Sequence, residues 1–251
     1  MHLSEKAALV TGASRGVGAA TALQLAQVGC GVAINYNQST DRAEAVAVRC
    51  REEGVKAVLM PGDVAEESAC RAMVQQAVEA FGGLDILINN AGVMGPPFSH
   101  TDEQLELTFG VNYIGYYLLT TKMMPMLREV KGSRVVNMSS IAQYKVKHID
   151  WNNLNSQIHY DKWEAYALSN LFRMMFTVEL EKKLREKSYQ TISLACHPGV
   201  TITNLTRYMP RIARSAVIAK LLNHSIFQTP YQAAMPALMA ATSTIVTGGE
   251  L

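Results

Sequence analysis

Six short apolar runs punctuate the chain: Ala7–Thr11, Gly31–Asn35, Val55–Met60, Leu84–Asn89, Arg134–Met138 and Thr191–Cys196. Each has the length of a strand, and most are rich in Val, Ile or Leu, as strands covered on both faces are. Between them the apolar positions fall into helical phase. Ala43, Val46, Ala47 and Cys50 follow the i, i+3, i+4, i+7 rule, and so do Val74, Ala77, Val78 and Phe81. Leu168, Leu171, Phe172, Met175 and Val178 mark a third apolar face. Such alternation predicts an α/β fold, a parallel sheet with helices on both faces joined by right-handed crossovers. A chain of 251 residues suits one domain of this kind, so 1–251 is read as a single unit. Two stretches interrupt the rhythm. Ile141–Asp161 is long, polar and aromatic, and reads as a loop over a site. Residues 203–223 carry Arg207, Arg211 and Arg214 among apolar neighbours, and read as a lid helix or a substrate-side helix pair.

Charge and cysteine usage narrow the function classes. The net charge is +2 and the basic residues are scattered, so nothing resembles a nucleic-acid-binding tract. No run of ~18 apolar residues exists, which argues against a transmembrane segment. The start, MHLSEKAALVTG, lacks the apolar stretch of a signal peptide. Cys30, Cys50, Cys70 and Cys196 form no Cys-x-x-Cys pair and read as free thiols in a reducing compartment. The six histidines show no His-Glu-x-x-His arrangement. The expectation is a cytoplasmic protein without a metal site.

The first run leads straight into Thr11-Gly12-Ala13-Ser14-Arg15-Gly16-Val17-Gly18, and then a helix. This context suits a dinucleotide. Gly12 permits a tight turn, Gly16 lets the backbone approach a pyrophosphate, and Gly18 lets the helix pack close to the strand. The helix N-terminus offers free N–H groups and partial positive charge to the phosphates. The predicted fold is therefore a Rossmann-type doubly wound parallel sheet of six to seven strands. The second run ends in Asn35-Tyr36-Asn37-Gln38-Ser39, with no acid before Asp41. An NAD enzyme usually places Asp or Glu here for the adenosine ribose. Without that carboxylate a 2′-phosphate is not repelled, and the forked guanidinium of Arg15 can reach toward it. NADP(H) is expected over NAD(H), with Asn35, Tyr36, Asn37 and Ser39 beside it.

The glycine spacing is that of the short-chain dehydrogenase/reductase family, and further segments resemble it in the right order. The resemblance implies roles residue by residue. Asp63 and Val64, after the third strand, would contact the adenine. Asn90, Ala91 and Gly92, in Asn-Asn-Ala-Gly, would lie beside the adenosine ribose. Asn112, Ser140 and Tyr166 match three members of the family's catalytic tetrad. Pro198, Gly199, Val200 and Thr203 match Pro-Gly-x-x-x-Thr, whose threonine would bind the nicotinamide amide. The chemistry can be stated without the family. Hydride transfer to a carbonyl creates alkoxide character on its oxygen; a phenol can donate a proton there, and a serine hydroxyl can hold the oxygen by a second hydrogen bond.

In the family a lysine four residues after the tyrosine supplies positive charge on the same helix face. Here that position is Asn170, which can hydrogen-bond a ribose hydroxyl but brings no charge. Arg173 lies seven residues after Tyr166, about 10 Å along the axis, and Lys162 lies one turn the other way, so both read as poor substitutes. Slow turnover at neutral pH is the expectation.

Residues 1–93 resemble bacterial ketoacyl reductases and glucose dehydrogenases, whereas the chain from about residue 94 resembles the retinol-dehydrogenase-like branch. That second resemblance implies an apolar carbonyl or alcohol as small-molecule substrate, and a homo-oligomer, a dimer rather than a tetramer. Thr247–Leu251 would begin a last strand, leaving a sheet edge to be covered. The reading is an NADP(H)-dependent oxidoreductase interconverting a ketone or aldehyde and an alcohol. The alternative is an NADP(H)-binding protein with little turnover, acting as sensor, scaffold or partner subunit.

Overall fold

The computed structural model describes residues 3–201, 205, 208 and 227–250. The strands are β1 (Ala7–Val10), β2 (Gly31–Tyr36), β3 (Ala57–Pro61), β4 (Ile86–Asn89), β5 (Arg134–Met138) and β6 (Ile192–Cys196). They form one parallel sheet in the order β3-β2-β1-β4-β5-β6. The order reverses between β1 and β4, and in sheets of this kind a ligand crevice opens at that point, beyond the carboxyl ends of the strands.

Because side chains alternate along a strand, the sheet feeds two cores. Ala8, Val10, Ile86, Ile88 and Val136 face one side, against α1 (Gly16–Gln27), α2 (Thr40–Glu52) and the last helix, α7 (Pro230–Thr242). Leu9, Leu87 and Val135 face the other, against α3 (Glu67–Phe81) and α5 (Gly115–Leu127). α5 is preceded by a short α4 (Leu107–Phe109) and a π-helical turn at Gly110–Ile114. α6 (Lys162–Glu186) starts from Asp161, whose carboxylate accepts from the N–H groups of Trp163 and Glu164 at 2.8 Å each. The expected doubly wound parallel sheet, with helices on both faces, is thus present.

The segment expected to enter a last strand runs beside β6. Gly249 N–H donates to the Ser193 carbonyl (2.7 Å) and Ala195 N–H to the Glu250 carbonyl (2.8 Å), so this segment lies along the β6 edge. Two short strands, β7 (Val200–Thr201) and β8 (Phe227–Gln228), pair with each other beyond that end of the sheet. No described helix is long and apolar enough to cross a membrane. Residues 203–223, read from the sequence as a lid, lie outside the described residues except for Leu205 and Tyr208.

Helical phase located the helices better than it located their buried faces. In α3 the buried positions are Cys70, Met73 and Ala77, whereas Val78 is exposed. In α6 the difference is larger. Of the expected apolar face only Phe172 is buried; Met175 and Val178 are exposed. The face turned inward is mostly polar: Ser169, Asn170, Arg173, Thr177 and Glu181. Burial of such groups is tolerated when partners are built in. Thr177 accepts from Asn137 Nδ2 (3.0 Å), and Glu181 accepts from Ser193 N–H (2.7 Å) and Arg185 Nε (2.8 Å). Hydropathy alone therefore points to the wrong side of α6.

Candidate active site

At the carboxyl ends of the strands lies a cavity of about 780 Å³, within the usual range for ligand sites. Its wall runs from the glycine loop after β1 to Ser140 after β5, Tyr166 on α6 and Pro198–Val200 after β6.

The glycine-loop end is built largely from backbone. Gly12 and Gly16 have φ of +62° and +59°, a region side-chain-bearing residues rarely adopt. A Cβ on Gly18 would come within 2.4 Å of Asn90 Nδ2 and 2.7 Å of the Gly12 carbonyl, and one on Gly12 within 2.9 Å of Ala91 Cα. The loop is tied to the end of β4 through Thr11. Its Oγ1 accepts from the N–H groups of Asn90 (2.8 Å) and Ala91 (2.9 Å), and its carbonyl accepts from Asn90 Nδ2 (2.7 Å). α1 begins at Gly16 with no side-chain cap and no acid in its first turn. Its leading N–H groups and the positive end of its dipole are thus presented to the cavity, an arrangement that suits a diphosphate. The glycines leave the room that a Cβ would fill, so this end fits a dinucleotide.

Residues expected around a 2′-phosphate come together. Arg15 Nη2 donates to Ser39 Oγ at 2.8 Å. Asn37 Nδ2 donates to Asp63 Oδ2 at 2.6 Å, while Asp63 Oδ1 accepts from Ala65 N–H at 2.9 Å. Ser14, Val17, Tyr36 and Val64 also line the wall. Asn35 differs in what its side chain does. Its Oδ1 accepts from Gly12 N–H (3.1 Å) and its Nδ2 donates to the carbonyls of Met60 (3.1 Å) and Gly62 (3.0 Å), so the amide clamps the loop to β3.

At the opposite end, Asn112, Ser140 and Tyr166 share the cavity wall with Gly92 and Met94. Ser140 caps a 3₁₀ turn at Ile141–Lys145, its Oγ accepting from Ala142 N–H at 3.2 Å. Asn112 sits in the π-helical turn. Its side-chain amide closes a pair of bonds with the Val93 backbone, 2.8 Å at N–H and 2.9 Å at the carbonyl, and donates to Ser169 Oγ at 3.1 Å. This amide fixes the loop after β4 against α6. Thr203 lies outside the described residues.

Asn170 departs from expectation. It is fully buried and is not part of the cavity wall. Its Nδ2 donates to the Tyr166 carbonyl (2.7 Å) and its Oδ1 accepts from Arg173 Nη1 (3.0 Å), so the amide is engaged within α6 rather than turned toward the cavity. A short amide on a helix interior closes readily onto the carbonyl four residues back. Arg173 also departs from expectation. Its distance along the axis overlooks that helical side chains lean toward the N-terminus and that an arginine stem is long. The guanidinium folds back beside Asn170, with Nε on the Asn112 carbonyl (2.6 Å), Nη1 on the Met138 carbonyl (3.1 Å) and Cζ 4.4 Å from the centre of the Tyr116 ring. Unlike Asn170, Arg173 is part of the cavity wall. Burial pushes the Tyr116 phenol well above its ordinary value, and the Arg173 charge opposes that rise.

An aromatic cluster forms on the segment that follows Met94. Phe98 packs on Tyr160 with ring centres 5.0 Å apart, and Tyr160 donates to the Pro96 carbonyl at 2.7 Å. Trp163 lies against Gly95, where a Cβ would come within 3.1 Å of its ring.

The chain is similar to known proteins along most of its length. The family model described as short chain dehydrogenase matches residues 6–211. Retinol dehydrogenase 14 of Mus musculus is 35% identical over 257 residues, covering 97% of this chain and 75% of the relative. This chain belongs to the short-chain dehydrogenase family. Polyprenol dehydrogenase of Mus musculus is 33% identical, covering 97% of this chain and 73% of its own length. Among solved structures, a short chain dehydrogenase from Burkholderia cenocepacia J2315 in complex with NADP has a TM-score of 0.77 and 28% identity, covering 100% of this chain and 96% of that one. The family is one of oxidoreductases, and its matched span takes in β1 through β6. The alignment with retinol dehydrogenase 14 extends to both sides of residue 94, where the two sequence resemblances met.

Proposed function

We propose that this short-chain dehydrogenase is an NADP(H)-dependent oxidoreductase interconverting an apolar ketone or aldehyde and its alcohol. The observation that carries the reading is a single cavity with an anion-accepting helix start at one end and Ser140 and Tyr166 at the other. The contact between Arg15 and Ser39, on a loop without a carboxylate at the end of β2, supports NADP(H) over NAD(H). The solved relative with NADP supports the same choice. Two relatives named for retinol and polyprenol support an apolar substrate.

When bound, the nicotinamide would supply or accept the hydride. The chain's own part is to place and polarise the carbonyl. Tyr166 Oη donates a proton to the oxygen as it gains charge, and Ser140 Oγ holds that oxygen by a hydrogen bond. Asp63 and Val64 would flank the adenine, Asn90, Ala91 and Gly92 the adenosine ribose, and Pro198, Gly199, Val200 and Thr203 the nicotinamide amide. Asn112 acts through the architecture, holding the loop after β4 to α6. A cytoplasmic homodimer belongs to the same reading; exposed Tyr117, Met175 and Val178 on α5 and α6 offer an apolar stripe for a second copy.

Titration with NADPH and NADH, followed by a panel of ketones and aldehydes that includes retinal, tests the reading. NADPH binding with carbonyl-dependent oxidation is the expected result. Binding without turnover would favour a sensor or partner-subunit role, which the inward turn of Asn170 supports. Absence of binding would end both.

A further inference from the structure

The inward polar face of α6 carries a cation with no acid beside it. Arg173 is 4% exposed, and among the described residues no ion pair involves it. A guanidinium does not lose its proton in proteins, so this charge is permanent. Two of its nitrogens bond three acceptors, the Asn112 and Met138 carbonyls and Asn170 Oδ1, and all three are neutral. The remaining nitrogen, Nη2, is buried without a hydrogen-bond partner. It lies at the Gly92 side of the cavity, where a Cβ on Gly92 would come within 3.2 Å of it. Buried charges and buried N–H groups ordinarily find partners. An unmatched donor of this kind, on the wall of a ligand cavity, fits a ligand that brings oxygen.

We propose that Arg173 is a cofactor-anchoring residue, its Nη2 bonding a hydroxyl of the nicotinamide-side ribose and its guanidinium supplying the positive charge that the family resemblance assigns to a lysine at position 170. Asn170 is then a positioning residue: by accepting from Nη1 while donating to the Tyr166 carbonyl, it fixes the fork relative to the tyrosine-bearing turn. The cation has moved along the helix and kept its place in space. It acts as fixed charge and hydrogen-bond donor and carries no proton, which separates its chemistry from that of a lysine. The inference rests on the NADP(H) reading above.

The test compares two ligands. Adenosine 2′,5′-bisphosphate carries the 2′-phosphate half but neither the second ribose nor the nicotinamide; NADPH carries both halves. Arg173→Gln removes the charge. Arg173→Met does so while filling the slot with an apolar stem, which a buried position accepts without an unpaired polar group. Both variants are expected to bind NADPH about tenfold or more weakly, as loss of a charged hydrogen bond implies, and to bind the bisphosphate within about twofold of wild type. The double variant Asn170→Lys/Arg173→Gln is expected to recover most of the NADPH affinity. If either single variant binds NADPH as wild type does, or if NADPH and the bisphosphate weaken together, the inference is overturned. Wild type binding neither ligand would overturn the NADP(H) reading itself, and is distinguishable because it needs no variant.

Discussion

The two ends of the cavity are made of different material. The glycine-loop end consists of backbone: two glycines with positive φ, a helix start without a side-chain cap, and a threonine clamp between β1 and β4. The Tyr166 end consists of side chains from several elements, Asn112, Ser140, Tyr166 and Arg173, and the inward face of α6, which carries the last two, is mostly polar. Backbone geometry at a tight turn admits glycine and little else, so the residue type reports the structure directly. A side chain occupies space that several positions on a helix can reach, so a charge can change address without leaving the site.

Each end can be broken separately. The largest effect belongs to the Tyr166 end. Tyr166→Phe removes the proton donor and is expected to lower kcat by about 10³-fold while NADPH affinity stays near wild type. Steady-state rates beside a binding isotherm check the pair; a kcat within tenfold of wild type would remove the phenol from the chemistry.

The glycine-loop end should fail differently. In Gly18→Ala the new Cβ has no room against Asn90 Nδ2 and the Gly12 carbonyl. The variant is expected to lose about 1–3 kcal/mol of stability, with the loop shifted and NADPH binding weakened in step. Urea unfolding and cofactor titration on the same preparation read both, and an unchanged unfolding midpoint would mean that the close approach is not real. Arg15→Ala sharpens the comparison. It should weaken NADPH about tenfold or more through loss of charge-assisted contact and leave NADH nearly unchanged, in contrast to Arg173→Gln, which should weaken both cofactors.

The smallest effect concerns the core beneath both ends. Burial pushes the thiols of Cys30, Cys70 and Cys196 up to about 12 and that of Cys50 to about 11. Groups with raised folded values stabilise the fold fully below their unfolded value, near 9, and that stability drains away as pH rises toward 12, because the unfolded chain releases its protons first. Stability is therefore expected to decline from about pH 9 upward, with native thiols slow to react with alkylating reagents at pH 8. Rapid labelling of the native protein would contradict the burial.

The strands were legible because a fully covered parallel strand has to be apolar along its length; Arg134–Met138 matches the sequence pattern residue for residue, and the others begin or end within two residues of it. The tight turn after β1 was legible through Gly12, Gly16 and Gly18. The buried face of α6 was not, because hydropathy cannot tell a polar residue in water from one with a built-in partner, as Thr177 and Glu181 have. Arg173 was read as too distant from the cavity for a related reason. Counting rise along the axis ignores the backward lean of the side chain, whereas a basic residue three positions after Asn170 was the available signal. Asn35 shows the converse: a polar residue beside the cofactor loop whose amide is engaged in holding that loop.

The most direct measurement is a crystal structure of the NADP⁺ complex, read at three distances. The expected arrangement has diphosphate oxygens on the N–H groups at the start of α1, the nicotinamide ring beside Tyr166, and a hydroxyl of the nicotinamide-side ribose within about 3.2 Å of Arg173 Nη2. A diphosphate lodged away from Gly16, or a nicotinamide ring far from Tyr166, would contradict it.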